Sequence, residues 1–123
     1  MLVYSQHGDG MKVNFDNDEK LIMHLMTEDA IRGAKKTPLG ANAVKEGKLL
    51  LRKIHFTNPT LNLKRYELYM LADFAEHTLK IIAGFEIPED EKESQKEARE
   101  ENEAAVRKLF NHIEEIFNDL QNK

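Results

Sequence analysis

The sequence predicts an all-α fold: a bundle of about four helices with a long C-terminal helix, preceded by a short N-terminal β-hairpin. Three observations carry that expectation. Apolar residues recur at steps of three and four through most of the chain after Asp16. Cap and breaker residues fall between these runs: Asp16, Gly33, Thr37-Pro38, Asn58-Pro59, Gly84 and Pro88. A composition of 41% apolar and 33% charged residues suits helices with a wide solvated face. At 123 residues, with no internal repeat and no long Gly/Ser linker, residues 1–123 read as a single helical domain.

Residues 1–15 carry the β signal. LVYS and MKVNF hold β-compatible residues, and HGDG between them supplies turn chemistry. The stretch reads equally as a hairpin packed on the bundle or as a flexible leader before Met11.

The first helix starts at Asp16, a cap residue with Glu19 three positions on, the spacing of a capping box. Leu21, Ile22, Leu25 and Met26 follow at helical spacing, and Gly33 and KKTP end the run. Thr37-Pro38 predicts a cap and first-turn proline for a second helix through Ala43, Val44, Gly47, Leu50, Leu51 and Ile54. Periodicity favours helix over strand there, although Gly40 and Gly47 weaken it by about 1 kcal/mol each.

The third helix is expected to run from Pro59, capped by Asn58, to a stop at Gly84. One polar stripe (Asn62, Arg65, Tyr69, Asp73, Glu76, Lys80) leaves the rest of its circumference apolar, which predicts a central helix covered on most sides. Pro88 opens the last helix, with Glu89, Asp90 and Glu91 at its positive end. Its first half, within the acidic stretch 86–103, is polar. Val106, Phe110, Ile113, Phe117 and Leu120 then repeat as a seam for the core or for a second copy, widened by Leu109 and Ile116.

The formal net charge of −4 conceals a segregation. Residues 30–66 hold nine Lys or Arg against the single acid Glu46, whereas residues 86–119 hold twelve acids against five bases. Such asymmetry speaks of partners or self-association. The basic face centres on Lys45, Lys48, Arg52, Lys53, Lys64 and Arg65, interleaved with His55, Phe56, Tyr66 and Tyr69 in a pattern compatible with nucleic acid. A helix-turn-helix within 17–56 has the right raw material. The acidic face comprises Glu91, Glu93, Glu97, Glu100 and Glu101, suited to a basic surface or to a channel built for phosphates.

Chemical motifs point away from catalysis. With no Cys, disulfides, thiolate metal sites and thiol nucleophiles are excluded. The residues three before His24, His77 and His112 are Leu21, Phe74 and Leu109, so the di-iron Glu-x-x-His pattern is missing. His77 reads as a core histidine bonded to Asp73, and His24 shares a helix face with Glu28. GAKKTPLG lacks the phosphate-loop spacing, and neither GxSxG nor GxGxxG occurs. No catalytic residue, metal or cofactor is therefore expected. The longest apolar window is broken by Asp73, Glu76, His77 and Lys80, so no membrane span is expected, and no basic–apolar secretory leader is visible.

The expectation is a cytoplasmic, non-enzymatic interaction protein. It works as a homo-oligomer, a dimer in the simplest case, and binds or inhibits a macromolecular partner through its segregated faces. The alternative is a nucleic-acid-associated protein acting through 32–65. The Lys/Glu/Asn-rich composition without Cys or Trp is common among small phage and mobile-element proteins, but no stretch carries a family signature.

Overall fold

Six elements follow one another in the computed structural model, which describes residues 11–37, 40–57 and 59–121: β1 (Met11–Asn14), α1 (Asn17–Lys35), α2 (Ala41–Lys53), β2 (Thr60–Leu63), α3 (Arg65–Ala83) and α4 (Glu93–Gln121). The four-helix all-α fold, its long last helix and a short antiparallel two-stranded sheet are all present. The segment MKVN supplies one strand, as expected, and its partner is TLNL: Met11 faces Leu63 and Val13 faces Leu61. These four apolar side chains are buried while Lys12, Asn14 and Asn62 face outward, the period-two alternation of a half-buried ladder. LVYS and the QHGDG turn lie outside the described residues.

The ladder corrects the expected third helix. Residues 60–63, expected to be helical, form a strand instead, and Phe15 N–H donates to the Pro59 carbonyl at 3.0 Å. Helix α3 begins only at Arg65, where the buried Glu67 carboxylate accepts the Lys64 N–H at 2.8 Å. Asn58 is outside the described residues. The far end is as expected, with Gly84 N–H donating to the Lys80 carbonyl at 3.1 Å.

At α1 the capping box forms as read. Asp16 Oδ1 accepts Glu19 N–H at 2.8 Å, and Glu19 Oε1 accepts Asp16 N–H at 3.0 Å. The helix runs unbroken through Thr27, whose hydroxyl donates to the Met23 carbonyl at 2.7 Å. Thr37 does not open α2. Its hydroxyl donates to the Ala34 carbonyl and closes α1, and α2 starts at Ala41 behind Gly40. Pro38 is outside the described residues. The two glycines that weaken α2 intrinsically permit close packing: a Cβ on Gly40 would stand 1.9 Å from the Ala34 carbonyl oxygen, and one on Gly47 would stand 2.7 Å from Ile31 Cγ1.

The central helix is α1, which packs on α2, α3 and α4, rather than α3. Helix α3 buries only Glu67, Leu68, Leu71 and Ala75, with Met70, Phe74 and Leu79 partly covered and Tyr66, Tyr69 and Ile81 exposed. Within a single chain the exposed side of α3 thus carries the polar stripe, with Tyr66 and Ile81 as the large apolar side chains left uncovered beside it. Pro88 does not open the last helix either. Residues 85–92 form a turn, and α4 begins at Glu93, with Lys92 N–H donating to Gln95 Oε1 at 3.0 Å. Val106, Leu109, Ile113 and Ile116 of α4 enter the core beside Met23, Leu50, Leu61 and Leu68, while Phe110, Phe117 and Leu120 pack at its edge. The centre of the seam therefore lies on Leu109 and Ile116 as much as on Val106 and Ile113.

Candidate functional site

The first half of α4 forms an acidic ridge. No residue between 93 and 105 is buried, and Glu93, Glu97 and Glu100 lie on the stripe opposite the one that continues into Val106 and Leu109. Glu101 flanks this ridge, also exposed. Because the same helix is anchored in the core from Val106 onward, the ridge is held on a rigid support. At its C-terminal end Glu103 pairs with Arg107 at 3.2 Å. Glu91 does not join the ridge. It meets Arg99 in a two-point ion pair, Nε to Oε1 at 3.0 Å and Nη2 to Oε2 at 3.3 Å, which pins the 85–92 turn to α4 and raises the guanidinium pKa further.

The basic face divides in the same way. Lys45, Lys48 and Arg52 are exposed and share one outward stripe of α2 with the 39%-exposed Leu49. Lys53 is committed elsewhere, its Nζ 2.6 Å from Glu67 Oε1. Lys64 is half-buried, with its ammonium 5.9 Å from the Tyr66 ring centroid, and Arg65 is exposed. The Tyr66 hydroxyl donates to Glu46 Oε2 at 2.9 Å, and this carboxylate pushes the phenol up to about 12. Thus α2's only acid is turned away from the cationic stripe. Tyr69 stacks on Phe117 at 4.5 Å between centroids, 17° from parallel, so it packs against α4.

At the α3–α4 corner a groove of about 530 Å³ opens between Ile81, Ile82, Phe85, Pro88 and Ala98, with the Glu91–Arg99 ion pair, Gln95 and Asn102 completing its wall. A second, smaller cleft of about 270 Å³ lies between α1 and α3, lined by Met26, Gly33, Phe74, His77 and Ile81. His77 is exposed on its edge and makes no hydrogen bond to Asp73, which corrects the core-histidine reading: the buried side of α3 runs through Leu68, Leu71 and Ala75, and His77 lies off it. His24 does pair with Glu28, Nδ1 to Oε1 at 2.7 Å.

Two polar features escape sequence reasoning. One is the buried Glu67, which clamps α2 through Lys53 and the start of α3 through the Lys64 N–H. The other joins α1 to α4: His112 Nδ1 contacts Glu19 Oε2, and Lys108 Nζ contacts Asp16 Oδ2, each at 2.7 Å. The Phe15 ring lies 4.9 Å from the imidazole. The signal in Asp16 and Glu19 was visible, but it reads locally as a cap, and their second partners are a whole chain away. Both carboxylates are fully engaged in structural bonds, and neither pair presents a nucleophile with a free base. Among the described residues, no group of three or more His, Asp or Glu could hold a metal ion, and no helix is long and apolar enough to cross a membrane.

Comparison of the chain with protein-family models, with curated protein sequences and with solved structures finds no match.

Proposed function

We propose that the chain is a non-enzymatic, oligomeric interaction protein whose α4 ridge docks on a basic surface of a macromolecular partner, adapting or inhibiting it. The observation behind this reading is the ridge itself: Glu93, Glu97, Glu100 and Glu101 are presented to solvent on one rigid helix, with no buried residue beneath them from 93 to 105. Fixed rows of like charge contribute little to stability, and they serve encounter and orientation with an oppositely charged partner. The test compares salt-eluted proteins retained by the wild-type chain and by Glu93→Lys/Glu97→Lys/Glu100→Lys, after circular dichroism has matched the two folds. A partner held by the wild type and lost by the variant supports the reading. Identical retention by both, or none by either, removes it.

A second reading, contact with nucleic acid, is favoured by the exposed row Lys45, Lys48 and Arg52 on α2. It requires a mobility shift that weakens steeply with salt and vanishes in Lys48→Glu/Arg52→Glu.

A further inference from the structure

Resting on the oligomeric reading, we infer that the groove at the α3–α4 corner seats the outer stripe of α2 from a second copy of this chain, and that two such contacts, exchanged reciprocally, build a two-fold dimer. Ile81 and Phe85, which line the groove, are 59% and 55% exposed, and Ile87 on the adjoining turn is 56% exposed. Patches of this kind mark association surfaces on otherwise charged proteins.

The turn beside the groove is acidic. Glu86, Glu89 and Asp90 are exposed and interleave with Phe85, Ile87 and Pro88, while Glu91 in the groove wall is paired with Arg99. The outer stripe of α2 is its complement. Lys45, Lys48 and Arg52 surround Leu49, no acid interrupts them, and Phe56 follows the helix at 46% exposure. Leu49 and Phe56 supply apolar surface for the groove, and the three cations meet the acidic turn beside it. Within one copy the contact is impossible, because α2 is held with Gly47 and Leu50 against the bundle and its basic stripe faces away. A two-fold axis resolves this by giving each copy's stripe to the other's groove.

Charge exchange tests the pairing by sedimentation velocity. Lys48→Glu/Arg52→Glu makes the stripe acidic, and Glu89→Lys/Asp90→Lys makes the turn basic; all four residues are exposed, and circular dichroism checks that each variant folds. The wild type is expected to sediment as a dimer. Each variant alone should associate at least about tenfold more weakly, because both of its contacts set like charges together. An equimolar mixture of the two should recover the dimer, since every contact is then again between opposite charges. If the wild type is a dimer and the variants dimerise unchanged, or if the mixture stays monomeric, the groove assignment is overturned while the oligomeric reading stands. A wild type that is monomeric at about 100 μM overturns both.

Discussion

His112 Nδ1 lies 2.7 Å from Glu19 Oε2, so the last helix is fastened to the first turn of α1 across 93 positions of sequence. One turn earlier on α4, Lys108 reaches Asp16. The capping box that starts the first helix is therefore also the dock for the last.

This arrangement gives stability a pH dependence. The hydrogen bond to Glu19 raises the His112 pKa above its ordinary 6.5, with Glu115 and Asp16 adding field and partial burial opposing them. A raised histidine stabilises the fold fully below its unfolded value, and the contribution is lost as pH rises through the folded value. Urea unfolding is expected to show stability falling from pH 6 toward pH 9, and His112→Gln should flatten that slope. An unchanged slope in the variant would remove His112 from the account.

Asp16 acts in the opposite sense. Its bond to Lys108 holds the carboxyl below the usual 3.8, with the Glu19 N–H helping. Its contribution is present above that value and disappears as pH falls through the lowered one. Lys108→Ala should make the chain less sensitive to acid between pH 4 and pH 2, as read by acid titration of circular dichroism.

The glycines should respond with opposite signs. Gly33→Ala meets nothing within 4 Å on α1 and should stabilise by about 0.5–1 kcal/mol through helix propensity. Gly47→Ala gains the same propensity but drives a Cβ to 2.7 Å from Ile31 Cγ1, where overpacking costs about 1–3 kcal/mol. A net loss of about 1 kcal/mol in urea unfolding is expected. A stabilised Gly47→Ala would mean that α1 and α2 are not in close contact there.

Lys53 and Glu67 should also behave unequally. The glutamate side chain is 1% exposed and the lysine 33%. Lys53→Met strands a buried carboxylate and should cost about 2 kcal/mol. Glu67→Gln keeps an acceptor for the Lys64 N–H and frees Lys53 toward water, so about 1 kcal/mol is expected. Equal costs, or a costlier Glu67→Gln, would contradict the clamp.

What the sequence makes legible follows the range of each interaction. The Asp16–Glu19 box and the Gly84 stop are local, and each forms as read, whereas the buried face of α4 is centred on Leu109 and Ile116 as much as on the seam residues Val106 and Ile113. Pro59–Leu63 misleads because a proline after Asn reads as a helix start, whereas pairing with Met11–Asn14 supplies backbone bonds that no nearby residue announces. Gly40 and Gly47 look like helix defects until the closeness of Ala34 and Ile31 is known. For the surfaces, charge segregation was plain, but the separation of Glu91 and Lys53 from their neighbours needs Arg99 and Glu67 in view. The groove at Ile81 and Phe85 was hidden because that stretch reads as a helix end and a linker.

The purified chain's mass by light scattering tests the central claim most directly. With Tyr66, Ile81, Phe85 and Ile87 left in solvent, a dimer of twice the 14.2 kDa chain mass is predicted. A particle of 14.2 kDa across the whole concentration range would contradict it.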